Sequence, residues 1–282
     1  MKVLVTGATG FIGNHLVKQL LKDAVEVIAT SRNIEKARKY EWFPKVRYIQ
    51  CDLKEEHEDY FYFFERPDCM VHLAWEGLSD YKNLLHIESN VPVHYNFIKN
   101  MVHHGLNHVV VTGTCFEYGM QLGQLSEDLE TKPFTRYGLG KDTLRKYLEQ
   151  LFSINSVTFQ WIRLFYIYGD GQRETSLLSQ LDEAVRREEK KFNMSGGEQL
   201  RDYLPVEKVA EYIGAIALQE KIQGIINCCS GTPISISKLV EMHVKKRGYS
   251  IELNLGYYSY PDYEPMAFWG DNSKLQSILC EK

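Results

Sequence analysis

Short apolar runs, rich in β-branched residues, recur along the chain and alternate with segments that have helical spacing. The apolar runs lie at residues 2–6, 25–30, 46–50, 69–73, 107–112, 157–164 and 225–228. Apolar residues three or four positions apart predict helices over residues 14–21, 84–104, 204–219 and 235–247. Strands that alternate with helices in this way predict an α/β fold, with a doubly wound parallel sheet covered by helices on both faces.

The pattern changes after residue 165, where the strands become short and the loops gain glycine, tyrosine and charged residues. We therefore expect a first domain at residues 1–165, to which the chain returns at about 204–230. A smaller C-terminal α/β lobe should be formed mostly by residues 166–282. Six aromatic residues within 256–269 could stack on a nucleotide base or close the lobe over its core, and we favour the packing role.

The composition is that of an ordinary globular protein, with 44% hydrophobic and 25% charged residues in a chain of 282. A formal net charge of −4 argues against a general nucleic-acid binder, which should be basic. The chain begins with an apolar run rather than a basic and then apolar signal segment, and no run approaches the roughly 20 residues that span a bilayer. We expect a cytoplasmic protein that binds neither nucleic acid nor membrane.

Cysteine and histidine residues do not form a metal-binding pattern. The six cysteines include no C-x-x-C pair, and Cys228 and Cys229 lie in an apolar run that is expected to be buried. Reduced thiols are therefore expected. His103, His104 and His108 lie close together, but a glycine separates them and no carboxylate pattern accompanies them. The sequence predicts no metal site.

A glycine turn joins the first strand to the first helix, in the order Gly7-x-x-Gly10-x-x-Gly13. The first glycine permits a tight turn, the second lets the backbone approach a pyrophosphate, and the third lets helix and strand pack closely. Phosphates then meet the free N–H groups of the helix N-terminus. Gly7, Gly10, Phe11, Ile12 and Gly13 are thus predicted to hold a dinucleotide on a Rossmann sheet.

The end of the second strand usually decides between NAD and NADP, because an acid there accepts the ribose 2′-hydroxyl of NAD. This strand ends in Thr-Ser31-Arg32-Asn without an acid, and Arg32 can pair with a 2′-phosphate. We therefore predict NADP, with NAD as the alternative. Asp52, after the third strand, is placed to accept from the adenine amino group. Asn90 lies inside a predicted helix, where it serves either a ligand or a local cap or kink.

Tyr137 and Lys141 form the candidate catalytic pair, because four residues place both side chains on one face of a helix. A free phenol with a pKa of about 10 is a poor acid or base near neutrality. A fixed ammonium beside it favours the phenolate, so the spacing predicts that Lys141 lowers the pKa of Tyr137. Such a pair can exchange a proton with a sugar alcohol or carbonyl.

Other candidate residues lie where ligands bind in open α/β sheets, at the carboxyl ends of strands. Thr114 follows the fifth strand and can hydrogen-bond a reacting oxygen. Arg173 and Arg201 lie in the C-terminal lobe, and arginine suits bidentate binding of a phosphate. Both are predicted to bind the substrate.

Together these features resemble the extended short-chain dehydrogenase/reductase superfamily, in its nucleotide-sugar epimerase, dehydratase and reductase branch, over nearly the whole chain. The matching segments are Gly7-x-x-Gly10-x-x-Gly13, Asp52-Leu53, His72-Leu73-Ala74, Thr114, Tyr137-x-x-x-Lys141, Arg163-Leu-Phe-x-x-Tyr168-Gly169, Arg201-Asp-Tyr-x-x-Val206 and Trp269-Gly-Asp-Asn.

The resemblance implies a role for several residues. It implies that Tyr137 is the acid/base, that Lys141 holds the nicotinamide ribose and tunes Tyr137, and that Thr114 binds the sugar oxygen. It also implies that Leu53, Leu73 and Ala74 lie against the cofactor. The family often forms homodimers through helices that here would include residues 84–104 and 136–152.

Departures from the family pattern narrow the chemistry. A sugar 4,6-dehydratase of this family carries Asp-Glu after the active-site Thr, whereas this chain has Cys115 and Phe116, and Phe116 cannot transfer a proton. Cys115 is one residue short of the position of the catalytic Cys in GDP-fucose-synthase-like enzymes, which favours a packing role beside the substrate. Tyr166 occupies the position of a substrate-binding Asn in many relatives.

Hydride transfer with one proton relay is the chemistry that remains. The segments around Thr114 and Tyr137 are similar to those of dTDP-6-deoxy-L-talose 4-dehydrogenases and CDP-abequose-type 4-ketoreductases. This similarity implies an oxidoreductase that acts at C4 of a dTDP-, CDP- or GDP-linked 4-keto-6-deoxy sugar. One alternative is a 4-epimerase that retains NAD. The other is a non-catalytic dinucleotide sensor, because a fold does not imply a function.

Overall fold

The computed structural model describes residues 1–280, which form fourteen β-strands and nine α-helices in that part of the chain. The strands are β1 (Lys2–Thr6), β2 (Glu26–Ser31), β3 (Arg47–Gln50), β4 (Cys69–His72), β5 (His108–Thr114), β6 (Gly123–Leu125), β7 (Thr158–Leu164), β8 (Tyr166–Tyr168), β9 (Lys191–Asn193), β10 (Leu200–Pro205), β11 (Gly224–Cys228), β12 (Pro233–Ser235), β13 (Glu252–Asn254) and β14 (Phe268–Gly270). The helices are α1 (Phe11–Lys22), α2 (Ile34–Ala37), α3 (Tyr60–Phe63), α4 (Val91–His103), α5 (Arg136–Phe152), α6 (Leu177–Arg186), α7 (Val206–Ala217), α8 (Ile236–Arg247) and α9 (Ser273–Cys280).

A seven-stranded parallel sheet with the order β11-β7-β5-β4-β1-β2-β3 forms the centre of the protein. Its side chains alternate between two cores, since Val3 and Val5 of β1 enter one core and Leu4 enters the other. Helices α1 and α7 pack on the first face, and α4 and α5 on the second. The predicted doubly wound Rossmann sheet is therefore confirmed.

One predicted helix was wrong in its extent. The segment 84–104 is not a single helix, because residues His86–Asn90 form a π-helical turn and α4 begins only at Val91. Pro92, in the first turn of α4, has no N–H group to continue a regular ladder of hydrogen bonds from the preceding turn. The change of helix type leaves Asn90 buried, with Nδ2 donating to the carbonyl of Glu76 at 3.1 Å.

Residues 166–282 contribute to three short sheets rather than to a second large one. The three sheets have the orders β12-β10-β8, β13-β9 and β14-β6. Strand β14 pairs with β6, so one of these sheets includes a segment of residues 1–165. The division of the chain into two domains at residue 165 stays a prediction.

The aromatic segment 256–269 is only partly buried. Phe268 enters a core beneath the small lobe, whereas Tyr257 and Tyr258 are 61% and 57% exposed. The expectation of a packing role is therefore met by Phe268 and is wrong for Tyr257 and Tyr258. Tyr257 and Tyr258 follow Gly256, which has a φ of 78° two residues after the end of β13, a conformation that favours glycine.

Cys228 and Cys229 are both buried at the end of β11, as predicted. The six cysteines are free thiols, of which Cys280 is exposed. Within residues 1–280, no helix is both long and apolar enough to cross a bilayer.

Candidate active site

A cavity of about 1070 Å³ opens at the carboxyl ends of β1, β2, β4, β5 and β7. This edge is where a doubly wound sheet binds its ligands, since the strand order reverses there and the helices diverge. Residues of the glycine turn and residues around Tyr137 line the same cavity.

The glycine turn leaves room for a dinucleotide. Gly7 has a φ of 68°, a conformation that favours glycine, and a Cβ atom on Gly13 would lie 2.3 Å from the carbonyl oxygen of Gly7. Helix α1 begins after Gly10 with no side-chain cap, and no acidic residue lies in its first turn. Nearby, the buried hydroxyl of Thr30 has no hydrogen-bond partner among the described residues. An uncapped helix N-terminus and an unpaired hydroxyl fit a phosphate-bearing dinucleotide.

Most of the predicted cofactor residues line this cavity. They are Gly7, Gly10, Phe11, Ile12, Gly13, Ser31, Arg32, Asp52, Leu53, Leu73, Ala74 and Asn90. Lys141 does not line the cavity, because its side chain is buried behind the wall.

Arg32 is paired in a way that the sequence pattern did not indicate. Its guanidinium forms an ion pair with Glu76, which follows β4 and also contacts Lys54 Nζ at 2.7 Å. Glu76 therefore brings a carboxylate to the end of β2, where that strand itself has none. A 2′-phosphate bound to Arg32 would lie beside this negative charge.

Thr114 is fixed by a buried carboxylate. Its hydroxyl caps the short 3₁₀ turn that follows β5, and its backbone N–H donates to Glu117 Oε1 at 2.8 Å. The same carboxylate accepts from Arg163 Nε at 2.8 Å and from Trp161 Nε1 at 3.0 Å. Burial raises the pKa of Glu117, whereas the guanidinium of Arg163 opposes the rise. The turn that carries Thr114 is thus tied to β7.

Tyr137 lies in the first turn of α5, which is capped by the hydroxyl of Thr135. Its backbone N–H donates to the carbonyl of Tyr81 at 3.0 Å, and the two rings stack with centroids 5.1 Å apart. Burial raises the pKa of Tyr137 above its ordinary value, and a hydrogen bond with Thr114 opposes the rise. Tyr137 and Thr114 both line the cavity.

The expected effect of Lys141 on Tyr137 was wrong. The ammonium of Lys141 donates to the carbonyl of Thr112 at 2.7 Å and lies 4.1 Å from the centre of the Trp75 ring. Burial lowers the pKa of Lys141 to about 7, and burial also dominates at Tyr137, so the pKa of the phenol is raised rather than lowered. The spacing correctly placed both residues on one helix, but it did not indicate how strongly burial would act on the phenol.

The predicted substrate residues fall into two groups. Thr114, Cys115, Phe116, Tyr137, Tyr166 and Arg173 line the cavity. Arg201 is absent from the lining because its guanidinium is fully buried, paired with Glu264 at 2.9 Å and packed over the Phe268 ring at 4.7 Å. This placement argues against the predicted phosphate contact, since the positive charge is already neutralised.

Cys115 is buried at the cavity wall, and burial raises the pKa of its thiol. A thiol in this state is a poor nucleophile or base. Its placement supports the packing role that its position in the sequence favoured.

Sequence reasoning missed several residues at this site. Glu117 stands three residues after Thr114, the spacing of a capping box, and this signal could have identified it. Trp75 and Glu76 follow the end of β4, at the ligand-binding edge of the sheet. The hydrogen bond between His72 Nε2 and His94 Nδ1, at 2.8 Å, has no comparable signal, because the two residues come from different elements.

Histidine placement does not create a metal centre. His104 Nδ1 contacts the carbonyl of Asn100 at 2.9 Å, and His108 Nε2 contacts Gln160 Oε1 at 2.8 Å. Over the part of the chain that the structure describes, no group of three or more His, Cys, Asp or Glu side chains has a geometry for holding a metal ion.

The sequence and the fold have counterparts among known proteins. The family model described as NAD dependent epimerase/dehydratase family matches residues 3–229. This chain therefore belongs to the NAD dependent epimerase/dehydratase family, as its motifs predicted.

Relatives of known activity include both dehydrogenases and epimerases. The dTDP-6-deoxy-L-talose 4-dehydrogenase (NAD(+)) of Aggregatibacter actinomycetemcomitans is 28% identical over 273 residues, which cover 96% of this chain and 99% of that protein. The structure of MoeE5 in complex with UDP-glucuronic acid and NAD has a TM-score of 0.84 and 26% identity, covering 99% of this chain and 93% of that one. The UDP-glucuronic acid 4-epimerase from Bacillus cereus, in complex with UDP-glucuronic acid and NAD, has a TM-score of 0.82 and 26% identity, covering 100% and 94%.

Proposed function

We propose that this protein is an NAD(P)-dependent oxidoreductase that interconverts a carbonyl and an alcohol at C4 of a nucleotide-linked 6-deoxyhexose. The observation that carries the proposal is that Tyr137 and Thr114 line the same cavity as the glycine turn. A proton donor and a hydrogen-bonding hydroxyl therefore face the same space as the dinucleotide-binding residues.

Tyr137 would act as the acid when the sugar carbonyl is reduced. Burial raises its pKa, so the phenol is protonated near neutral pH. It would give that proton to the C4 oxygen as negative charge develops there, because an alkoxide is a stronger base than a phenolate. Thr114 would hold that oxygen, and Glu117 keeps Thr114 in place through its backbone N–H. The nicotinamide supplies or accepts the hydride when it is bound. Lys141, on the same helix, provides a second titratable group next to the phenol.

Phe116 supports this reaction over a dehydration. It lines the cavity directly beside Tyr137, with ring centroids 6.2 Å apart, at a position where a 4,6-dehydratase needs a proton-transferring side chain. A benzyl side chain can shape the sugar pocket but cannot remove a proton. The reaction is therefore limited to hydride transfer with one proton exchange.

The nucleotide diphosphate of the substrate would bind Arg173. Its exposed side chain lines the cavity, whereas the guanidinium of Arg201 is paired with Glu264. A guanidinium facing a cavity suits a diphosphate, because its planar donors match two phosphate oxygens. The relatives named above act on or bind dTDP- and UDP-linked sugars, which supports a nucleotide sugar as the substrate class.

We propose that the protein accepts both NAD(H) and NADP(H), and that Arg32 and Glu76 set the preference between them. Arg32 attracts a 2′-phosphate, whereas Glu76 repels it and can accept a hydrogen bond from a ribose hydroxyl. The two side chains oppose each other at one position, so we propose that both cofactors bind. The named relatives use or bind NAD, which supports NAD(H) as one of the two.

The test is a panel of dTDP-, CDP-, GDP- and UDP-linked 4-keto-6-deoxyhexoses, each offered with NADH and with NADPH. We expect stoichiometric loss of reduced-nicotinamide absorbance with at least one combination, and the alcohol at C4 by NMR. The matched control is Tyr137→Phe, which keeps the ring in place and removes the transferable proton. Turnover that is equal in Tyr137→Phe would contradict the assignment.

A 4-epimerase is the second candidate, because the Bacillus cereus structure of similar fold is a 4-epimerase. An epimerase would interconvert two nucleotide sugars without net consumption of added cofactor. The same panel separates the two functions when the corresponding 4-hydroxy sugars are added and product stereochemistry is followed by NMR. Binding of both cofactors without any sugar conversion would instead support a dinucleotide sensor.

Two further expectations belong to this proposal. We propose that the smaller lobe binds the substrate, since Arg173, Tyr166 and Tyr263 of residues 166–282 line the cavity.

We also propose a homodimer that forms through α5 and its neighbours, because Leu139 and Tyr147 of this helix are 43% and 52% exposed. Sedimentation of wild type and a Tyr147→Glu variant would test the dimer.

A further inference from the structure

Trp75 comes three residues after the end of β4, and its indole ring contacts Lys141 of α5. The ammonium of Lys141 lies 4.1 Å from the centre of this ring, well within the range of a cation–π interaction. Its hydrogen bond to the Thr112 carbonyl, at 2.7 Å, fixes the other side of the ammonium. The Thr112 carbonyl and the face of the Trp75 ring therefore both contact the ammonium.

The orientation of the Trp75 ring is fixed by His86. Trp75 Nε1 donates to His86 Nδ1 at 3.0 Å, and His86 Nε2 contacts the carbonyl of Asp80 at 2.9 Å. A carbonyl can only accept, so His86 carries its proton on Nε2 and offers Nδ1 as the acceptor. This tautomer holds the indole N–H in one direction, and the ring cannot rotate without losing a buried hydrogen bond.

The segment that carries His86 is itself packed against the catalytic helix. A Cβ atom on Gly140, the residue before Lys141, would lie 2.4 Å from the His86 carbonyl oxygen. The π-helical turn and α5 therefore touch backbone to backbone at this point. A second histidine, His94 of α4, stacks on the indole with centroids 4.9 Å apart and an interplanar angle of 15°.

Charged and titratable groups from each surrounding element act on Lys141. Glu117, from the 3₁₀ turn after β5, raises the pKa of Lys141. His72 of β4 and His94 of α4 also face it, and burial lowers the pKa of both imidazoles, that of His72 to about 3. Both histidines are therefore neutral at physiological pH and do not repel the ammonium. Tyr137 shares its helix and is protonated in the same range.

We propose that Trp75 is a positioning residue for the reaction: its ring, held by His86, keeps the Lys141 side chain in one place and favours the ammonium form. The inference rests on the proposed function of Tyr137 and Lys141 as the proton-transfer pair. Burial lowers the pKa of Lys141 to about 7, so the ammonium and the neutral amine are both populated near that pH. The electron-rich face of the indole favours the ammonium. Trp75 thus determines over which pH range the charged lysine stands beside the phenol.

The direct test is the titration of Lys141 by NMR in protein labelled with ¹³Cε-lysine, with the resonance assigned by Lys141→Met. We expect Trp75→Leu to lower the pKa of Lys141 by about one pH unit, the size of a partly desolvated cation–π interaction. Trp75→Phe is the matched variant, because phenylalanine is close to leucine in size but keeps an aromatic face. It should lower the pKa of Lys141 by less than half as much as Trp75→Leu does. Equal shifts in the two variants, or a rise in both from entry of water, would overturn the proposal.

The kinetic readout is the pH profile of kcat, measured beside KM for the sugar. In Trp75→Leu, the limb of the profile that reports Lys141 should move in the same direction as the pKa of Lys141. We expect a larger fold-change in kcat than in KM. If Trp75→Leu does not fold, His86→Ala is used instead, because it frees the ring and should give a smaller shift in the pKa of Lys141. His86→Gln should largely return this pKa to the wild-type value, because its amide oxygen can accept from the indole N–H. An unchanged Lys141 titration in His86→Ala would then overturn the proposal.

The two readouts keep this inference separate from the proposed function. If no nucleotide sugar is turned over but the NMR shifts are as expected, only the proposed reaction fails. If Tyr137→Phe abolishes turnover while Lys141 titrates identically in all Trp75 variants, only the role of Trp75 fails.

Discussion

The two ends of the cavity are built in different ways. At the end near Tyr137, the important groups are buried and held by several elements, as Lys141 and Glu117 are only 2% and 0% exposed. At the end near Arg32, the side chains of Arg32, Lys54 and Glu76 are 58%, 45% and 23% exposed and form only ion pairs with one another. Exposed ion pairs contribute about 0–1 kcal/mol, whereas breaking a buried one costs about 3–5 kcal/mol.

This difference indicates a division of tasks. Proton transfer needs atoms held to within a fraction of an ångström, which the buried hydrogen bonds of Glu117 and Lys141 provide. Cofactor selection needs only a balance of charges, which exposed side chains can provide and can readjust. Substitutions should therefore abolish activity or stability at the first end, and should change selectivity at the second.

The largest effect is expected for Tyr137→Phe. Losing the transferable proton should lower kcat by about 10²–10⁴-fold, the usual contribution of a general acid. Binding of NADH and NADPH, followed by nicotinamide fluorescence, should remain within about threefold, since the ring and its stacking on Tyr81 are kept. A loss of cofactor affinity that equals the loss of kcat would mean that Tyr137 acts in binding.

Glu117→Ala should cause the largest loss of stability. It leaves the guanidinium of Arg163 buried without its carboxylate, which should lower the free energy of unfolding by about 3–5 kcal/mol. Glu117→Gln keeps an acceptor for the Thr114 N–H and should cost less. Urea denaturation measures both. The control is Glu183→Gln, which removes exposed ion pairs with Arg186 and Arg187 and should cost less than about 1 kcal/mol.

Stability should depend on pH through Lys141. Its pKa is about 7 in the folded protein and about 10.4 in an unfolded chain, so the unfolded state binds an extra proton between these values. The free energy of unfolding therefore rises as the pH increases through this window, and the full penalty for burying the ammonium applies below pH 7.

Lys141→Met removes that penalty and provides the measurement. In urea denaturation, the stability advantage of the variant over wild type should be larger at pH 6 than at pH 9, by on the order of 3 kcal/mol. The variant should also lose activity, so the gain in stability would come at the expense of function. A difference that is independent of pH would mean that Lys141 titrates normally in the folded protein.

The smallest effect is expected at the exposed end. Glu76→Gln removes the negative charge beside Arg32, so the ratio of kcat/KM for NADPH to that for NADH should rise by about tenfold. Arg32→Gln is the matched reverse variant and should lower the same ratio. Unchanged ratios in both variants would show that selectivity is set elsewhere.

The sequence predicted correctly those features that depend on residues close together in the chain. The glycine turn, the strand edges and the spacing of Tyr137 and Lys141 each depend on a few consecutive residues, and these features predicted the fold and placed most of the lining residues. The helix expected at 84–104 was wrong because an apolar pattern does not register the missing N–H of Pro92.

The sequence pattern did not predict ion pairs between residues that are far apart in the chain. Arg201 meets Glu264 and Arg32 meets Glu76, at separations of 63 and 44 residues, and both pairs changed the role expected of an arginine. The raised pKa of Tyr137 has the same origin, because burial comes from the whole surrounding structure rather than from Lys141.

The most direct test of the central claim uses NADH and NADPH that carry deuterium at the transferable position of the nicotinamide. The protein is incubated with a nucleotide-linked 4-keto-6-deoxyhexose, and the sugar product is analysed by NMR and mass spectrometry. We predict one deuterium at C4 with wild type and almost none with Tyr137→Phe in the same time. Deuterium at any other carbon, or a C4 alcohol that carries none, would contradict the account.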